Sequence, residues 1–142
     1  MTHVRIITPG GDYSDASKVR FSVFVKEQGI PEENEYDEND KTAYHAVLYE
    51  DEAPVACGRL YFEDGAAHIG RVAVLKQRRR LGYATAVCEE LVDLAAALGR
   101  ADVVALGAQK YVVGLYEKLG FKIVGEEYLD ENIPHLKMIK EI

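Results

Sequence analysis

The sequence predicts one α+β domain, and three observations support that prediction. The 142 residues suit a single domain and are few for two. Three strand-like segments follow one another between residues 43 and 75, joined by the polar turn Asp51-Glu52 and by Asp64-Gly65, a strong hairpin signal. Residues 84–98 then repeat apolar side chains at helical spacing up to Gly99, which is typical of a helix C-terminus.

The remaining elements are predicted from the spacing of apolar residues and from the turns between them. Residues 16–28 carry an apolar helical face that Phe21 and Val25 widen, and Gly29-Ile30-Pro31 ends this helix. Residues 103–108 are wholly apolar, which is typical of a strand buried on both faces. In chain order the prediction is a strand over 3–8, a helix over 16–28, strands over 43–50, 54–62 and 66–75, a helix over 84–98, a strand over 103–108, a helix over 110–119, and strands over 121–128 and 135–139.

The amino-acid composition limits the kinds of partner that the protein binds and the cellular compartment in which we expect it. The net charge of −7 and the pI near 5.1 argue against nucleic acid as the main partner. No apolar segment approaches the ~20 residues that cross a bilayer, and the N-terminus lacks an apolar run of signal-peptide length. Cys57 and Cys88 lie singly in apolar segments. We therefore expect reduced, buried thiols in a cytoplasmic protein that binds neither nucleic acid nor a membrane.

Residues 71–85 are the most informative segment, a β-branched run followed by a basic turn and the start of a helix. In an otherwise acidic chain, the basic turn alone carries four cations: Lys76, Arg78, Arg79 and Arg80. Backbone N–H groups at a helix N-terminus lack intrahelical partners and attract anions, and Gly82 lets the backbone approach a ligand closely. Spacing alone is equally compatible with an ordinary strand-to-helix turn that carries solvated arginines.

The run Arg79-Arg80-Leu81-Gly82-Tyr83-Ala84 resembles the Arg/Gln-x-x-Gly-x-Gly/Ala motif of the GNAT superfamily of N-acetyltransferases. Residues 110–121, which end in Tyr-Glu-Lys-Leu-Gly-Phe, are similar to the second signature of that family. Residues 24–31 and 125–135 resemble a subgroup of small bacterial GNAT proteins, most of unknown substrate. Because the order of predicted elements also matches, residues 1–142 are identified as a single N-acetyltransferase domain.

The resemblance implies a fold, an activity and a binding site. The GNAT fold is a mixed central sheet of about six or seven strands flanked by about four helices, with the fourth and fifth strands splayed apart and pantetheine in the gap. The implied activity is direct transfer of an acetyl group from acetyl-CoA to a primary amine, with no metal. The residues implied in binding acetyl-CoA lie before, within and beyond the basic turn: Val72, Val74, Arg79, Arg80, Leu81, Gly82, Tyr83, Ala84, Thr85 and Gln109.

Tyr116 is the implied catalytic residue, because the family's tyrosine at this position donates a proton to the departing coenzyme A thiolate. A phenol stabilises that sulfur by hydrogen bonding without first ionising. The spacing of Tyr116 with Val112 and Leu119 is also typical of simple core packing. An amine of pKa about 10.4 must lose a proton before it attacks. A chain of waters or one of five side chains serves as the base: Glu27, His45, Glu126, Glu127 or His135.

Three questions stay open at the level of sequence. Residues 27–40 hold seven acidic side chains and no basic one, which indicates either a solvated loop or the border of an acceptor site that attracts a cationic amine. A GNAT fold that binds acetyl-CoA and regulates or interacts without turnover is the alternative to an enzyme, although the presence of Tyr116 disfavours it. The acceptor, a small molecule or a peptide, is not identified, and the oligomeric state is open, although homodimers are common in the family.

Overall fold

The computed structural model describes residues 1–142 and contains seven β-strands, which occupy the segments where the sequence predicts strands. They are β1 (Thr2–Ile7), β2 (Tyr44–Glu50), β3 (Ala53–Glu63), β4 (Ala66–Val74), β5 (Val103–Gln109), β6 (Lys122–Asp130) and β7 (Ile133–Glu141). They form one mixed sheet in the order β1-β2-β3-β4-β5-β7-β6. Every neighbouring pair is antiparallel except β4 and β5, which run parallel.

Helices cover the sheet and connect its strands. The α-helices are α1 (Ser14–Arg20), α2 (Glu32–Glu35), α3 (Tyr83–Leu98) and α4 (Val113–Lys118). Three short 3-10 turns complete the connections, over Glu38–Lys41, Lys76–Arg78 and Lys110–Val112. Seven strands in a mixed sheet with four α-helices confirm the predicted α+β architecture. None of the helices combines the length and the apolarity that a membrane crossing requires.

The predicted helix over residues 16–28 differs from the observed one in its second half. α1 ends at Arg20, and the chain continues through Phe21–Glu27 as a π-helical segment. Its wider hydrogen bonding is visible in the bond from the Gln28 N–H to the Val23 carbonyl (3.0 Å). A π-helical turn holds more residues than an α-helical turn, so consecutive side chains differ less in direction. The consecutive residues Val23 and Phe24 accordingly share one buried face.

Apolar side chains pack on both faces of the sheet. On one face the larger cluster includes Leu91 of α3, and on the other the smaller cluster includes Val19 of α1. Cys88 belongs to the larger cluster and Cys57 to the smaller one, and both thiols are free and buried, as predicted. The strands β2, β3 and β4 are therefore covered on both sides. Strand pairing is interrupted at one place between neighbouring strands of the sheet.

That interruption is the seam between β4 and β5. The two strands pair only where Ala67 faces Val104 and where His68 faces Ala105. Beyond these residues β4 pairs only with β3, and β5 pairs only with β7. The facing edges of β4 and β5 therefore carry backbone groups that have no strand partner. This separation confirms the predicted splay between the fourth and fifth strands.

Candidate active site

The splay between β4 and β5 opens into a cleft of about 720 Å³. Residues 69–74 of β4 and Leu106, Gly107 and Gln109 of β5 line it. Among the residues predicted to bind acetyl-CoA, two do not line the cleft, namely Leu81 and Thr85. The others do, together with Tyr116: Val72, Val74, Arg79, Arg80, Gly82, Tyr83, Ala84 and Gln109. The structure thus brings most of the predicted residues together.

At one end of the cleft the chain turns into α3 with its backbone amides unpaired. Arg80 and Gly82 both adopt a positive φ, of 65° and 81°. The first hydrogen bond of the helix runs from the Ala86 N–H to the Gly82 carbonyl (3.0 Å), and no side chain caps the helix. The N–H groups from Arg80 to Thr85 consequently donate to no protein acceptor. Unpaired amides at the positive end of a helix are suited to an anion.

Gly82 keeps this end of the cleft open. No atom lies within 4 Å of the position that a Cβ on Gly82 would occupy. Its positive φ is also a conformation that a residue with a side chain adopts only with strain. The backbone conformation therefore favours glycine here, and the open space beside it leaves room for a ligand.

Two of the four cations in this turn are engaged by carboxylates. Arg79 makes a two-pronged pair with Glu27 (2.7 and 2.6 Å), and its Nε donates to the Val74 carbonyl (3.0 Å). Arg78 pairs with Glu50 (2.8 Å), which also accepts from the Tyr83 hydroxyl (2.5 Å). These contacts fasten the turn to the π-helical segment and to the end of β2. The remaining two cations, Lys76 and Arg80, form no ion pair.

β4 carries a bulge at the point where it borders the cleft. The pairing with β3 shifts between Cys57 and Arg59, so two residues of β4, Arg71 and Val72, stand opposite one residue of β3. Arg71 has a φ of 52°, which is uncommon for a residue other than glycine. The bulge changes the direction of the β4 backbone at Arg71 and Val72, in the part of the strand that lines the cleft and continues to Val74.

The position of Tyr116 is compatible with both roles that the sequence leaves open. Its side chain is 6% exposed and packs edge-on against Phe121 (ring centroids 6.0 Å apart), yet it also lines the cleft. Burial raises the pKa of the Tyr116 hydroxyl well above its ordinary value, and the neighbouring Cys88 thiol raises it further. Burial likewise raises the pKa of the Cys88 thiol to about 12. The tyrosine is therefore a neutral hydrogen-bond donor at the wall of the cleft.

A family model described as an acetyltransferase (GNAT) domain matches residues 11–142. The chain belongs to the GNAT family of acetyltransferases. The motif around Gly82 and the Tyr116 region both lie within the matched residues. The family assignment therefore agrees with the splayed sheet and with the residues that line its cleft.

Relatives and solved structures extend the agreement over the whole GNAT domain. The uncharacterized N-acetyltransferase YjcF of Bacillus subtilis is 42% identical over 89% of this chain and 91% of its own. A solved acyl-CoA N-acyltransferase from Pseudomonas aeruginosa is 27% identical with a TM-score of 0.88, and the match covers 99% of each chain. Escherichia coli ElaA is 25% identical with a TM-score of 0.89 over 99% of this chain and 100% of its own.

Gln109, at the end of β5 in this GNAT domain, is engaged in a pair of amide hydrogen bonds. Its Nε2 donates to Gln28 Oε1 (3.2 Å), and Gln28 Nε2 donates to Gln109 Oε1 (3.4 Å). Gln28 closes the π-helical segment, so this pair connects that segment to the β5 side of the cleft. Glu27, the preceding residue, connects the same segment to Arg79 on the β4 side. The π-helical segment is thereby tied to both walls.

The five side chains considered as general base occupy different places. His45 is buried, stacks on Tyr13 and does not line the cleft. Glu27 is held by Arg79, and Glu127 pairs with Lys110. Neither Glu27 nor the adjacent pair Glu126 and Glu127 lines the cleft. The one candidate that does is His135.

The acidic segment folds onto three arginines. Asp40 accepts from Arg20 (2.7 and 3.0 Å) and from Arg59 (2.8 Å), and all three side chains are buried. Buried Glu35 accepts from Arg20 Nε, and Asp37 accepts twice from Arg59 (2.7 and 2.8 Å). We call the six charged groups the arginine–carboxylate cluster: Arg20, Glu35, Asp37, Asp40, Arg59 and Arg71.

Neither sequence interpretation of the acidic segment describes this arrangement fully. Glu32, Glu33 and Glu38 are exposed, as a solvated loop predicts. Glu35 and Asp37 line the cleft, as a border of the acceptor site predicts, but arginines already neutralise them. The electrostatic attraction that was expected for a cationic amine is correspondingly reduced.

Sequence reasoning misses several residues that line the cleft, among them Arg59, Arg71 and Tyr128. A Cβ added at Gly107 would overlap the Tyr128 hydroxyl, and the Tyr128 ring stacks on His135 (ring centroids 5.8 Å apart). The only available signal is Gly107 itself, because an isolated glycine in an apolar strand marks close approach by another group. The two arginines are indistinguishable in sequence from ordinary polar strand residues.

Proposed function

We propose that this GNAT domain is an acetyl-CoA-dependent N-acetyltransferase that transfers an acetyl group directly to a primary amine of a small molecule or peptide. One observation carries the proposal: the turn of residues 80–85, whose backbone amides are unpaired, and the side chain of Tyr116 border the same cleft. An anion-binding end and a hydrogen-bond donor for sulfur are the two features that a coenzyme A thioester requires. Membership of the GNAT family supports the same activity.

When bound, acetyl-CoA supplies an acetyl group that is activated as a thioester. The amides of residues 80–85 bind the pyrophosphate, because they lack protein acceptors and lie at the N-terminus of α3. Lys76 and Arg80, which have no carboxylate partner, add positive charge there. The free edge of β4 at Val72 and Val74 pairs with the pantetheine amides, much as a neighbouring strand would.

Tyr116 stabilises the sulfur that leaves. Its raised pKa keeps the hydroxyl neutral at physiological pH, so Oη donates a hydrogen bond as the carbon–sulfur bond breaks. Full transfer of the proton is uphill, because the pKa of a thiol is about 8.5 and that of the phenol lies above about 10. Tyr116 therefore acts as a hydrogen-bond donor to the thiolate rather than as a strong acid.

His135 is the side chain that we propose as the base. Its Nδ1 lies 2.7 Å from the Ile133 carbonyl, which only accepts hydrogen bonds. Nδ1 therefore carries the proton of the neutral ring, and Nε2 retains a lone pair. Nε2 then takes the proton of the acceptor ammonium, directly or through one water.

Release of the coenzyme A thiol with a panel of primary amines tests the proposed activity. We expect turnover with at least one amine. Tyr116→Phe removes only the hydroxyl, so kcat should fall by roughly 10²-fold while acetyl-CoA still binds. Tyr111→Phe is the matched control, because Tyr111 is 82% exposed and its hydroxyl serves no role in the proposal. The control should retain kcat.

Two other outcomes distinguish the alternatives. Acetyl-CoA binding measured by calorimetry, without thiol release from any amine, would favour a non-catalytic module that binds acetyl-CoA. Failure to bind acetyl-CoA at all would contradict both functions. We also propose a cytoplasmic location, which the two free, buried thiols support.

A further inference from the structure

Arg71 is the member of the arginine–carboxylate cluster whose hydrogen-bonding capacity is least used. A guanidinium has five N–H donors. Arg20 makes four hydrogen bonds and Arg59 makes three. Arg71 makes one, from Nε to the Glu35 carbonyl (3.0 Å). Its two terminal nitrogens therefore have N–H groups to spare.

The carboxylates near Arg71 are already committed to the other arginines. Its nearest carboxylate oxygens are Asp37 Oδ2 at 3.5 Å and Glu35 Oε1 at 3.9 Å. Asp37 Oδ2 accepts from Arg59 Nη2 at 2.8 Å, and Glu35 Oε1 accepts from Arg20 Nε. The charge of Arg71 is consequently the least well neutralised in the cluster.

The surroundings of Arg71 favour a bound anion. Burial lowers the pKa of its guanidinium, and the nearby cations Arg59 and Arg20 lower it further. The positive potential from Arg59 and Arg20, which makes a further cation at Arg71 less favourable, makes a bound anion there more favourable. The side chain is 26% exposed and lines the cleft, so a ligand within the cleft reaches it.

The backbone places Arg71 beside the part of β4 that borders the cleft. Arg71 stands on the β4 bulge with a positive φ, a strained conformation that is concentrated at functional sites. It precedes Val72, whose free edge faces the seam. A group bound by Arg71 therefore lies next to the position assigned to the pantetheine arm.

From these observations, and on the basis of the proposed N-acetyltransferase function, we infer that Arg71 binds a carboxylate of the acceptor. A guanidinium presents paired N–H groups that match the two oxygens of a carboxylate. The acceptor is thus an amine that also carries a carboxylate, as an amino acid does. It is not the purely cationic amine that the acidic segment suggests in sequence.

Calorimetry with amino acids and their carboxamides tests this inference without relying on turnover. Each pair keeps the amine and differs in the carboxylate, and binding is measured with and without coenzyme A. At least one amino acid should bind about tenfold or more tightly than its carboxamide, as expected for a charge-assisted pair. Arg71→Gln should abolish that preference, and Arg71→Lys should retain only part of it because lysine lacks the planar fork. Arg5→Gln, a charge removal on the exposed edge strand β1, should leave the preference intact.

The outcomes separate this inference from the proposed function. The inference is wrong if the unaltered protein binds no amino acid more tightly than its carboxamide. This test does not depend on whether any variant folds. It is also wrong if the preference persists in Arg71→Gln, or if that variant loses coenzyme A affinity without losing the preference. The protein could also prefer an amino acid over its carboxamide and yet release no thiol with any amine. That result would support the carboxylate site and would contradict only the proposed transferase activity.

Discussion

Asp40 is the carboxylate on which the arginine–carboxylate cluster depends most, because both buried arginines donate to it. Arg20 and Arg59 contribute three hydrogen bonds of 2.7 to 3.0 Å, and the Asp40 side chain is 2% exposed. These cations lower the pKa of Asp40 from 3.8 to about 2 against the opposing effect of burial. The cluster should therefore make folding stability depend on pH, with Asp40 as a main contributor beside Asp37, whose pKa the arginines also lower against the effect of burial.

The size and sign of the Asp40 contribution follow from the shift in its pKa. A difference of nearly two pKa units, at about 1.4 kcal/mol each, corresponds to about 2.5 kcal/mol of unfolding free energy. The pKa is lowered in the folded state, so this contribution is complete above about pH 4 and is lost as the pH falls towards 2. Asp40→Asn should cost about 3–5 kcal/mol at pH 7, because two buried cations lose their shared partner.

Urea unfolding followed by circular dichroism between pH 7 and pH 2 measures this contribution. The difference in unfolding free energy between the unaltered protein and Asp40→Asn should shrink by about 2 kcal/mol between pH 5 and pH 2, where half of the folded molecules carry a protonated Asp40. Asp93→Asn is the matched control, because Asp93 is exposed on α3 and forms no ion pair. A difference that stays constant across this range would refute the assignment of Asp40 as an ionised partner of both arginines.

Three further predictions concern the cleft and the thiols. Gly82→Ala should cost about 1–2 kcal/mol of folding stability because residue 82 has a positive φ. Gly82→Val should also block the binding of coenzyme A, because its side chain would enter the open space at this end of the cleft. Normal coenzyme A affinity of the Val variant in calorimetry would contradict that expectation. Cys57 and Cys88 should not react with a thiol reagent at pH 8 until urea unfolds the chain, because burial raises the pKa of each to about 12, and rapid labelling of the native protein would count against it. Gln109→Ala should weaken acetyl-CoA binding about fivefold, the effect of about one hydrogen bond, whereas Gln28→Ala frees the Gln109 amide and should not weaken it. Equal losses in both glutamine variants would mean that Gln109 only anchors the π-helical segment.

Local patterns were sufficient to predict most of the fold. Strand alternation, the Asp64-Gly65 hairpin and the apolar stripe that ends at Gly99 depend on neighbouring residues, and the structure contains each of these elements. The splay between β4 and β5 was predicted only through the family resemblance. No local pattern predicts it, because it depends on which edges of two distant strands stay unpaired.

The candidate site was predictable where its groups are close in sequence. The turn around Gly82 is continuous in the chain, so its amides were identified from the motif. The arginine–carboxylate cluster was not, because its ion pairs join residues that are 15 to 36 positions apart. A run of acidic residues is normally solvated, and the burial of Glu35 and Asp40 follows from arginines on α1, β3 and β4 that the sequence does not connect to them.

We propose that acetyl-CoA binds in the cleft between β4 and β5 with its pyrophosphate on the amides of residues 80–85. A ¹⁵N NMR titration with acetyl-CoA, read amide by amide, tests this proposal. Those N–H groups donate to no protein acceptor in the free protein and should donate to the pyrophosphate when acetyl-CoA is bound. The largest shifts should fall on residues 80–85, followed by the β4 edge at Val72 and Val74. Saturable binding that leaves these amides unchanged would contradict the assignment of the site.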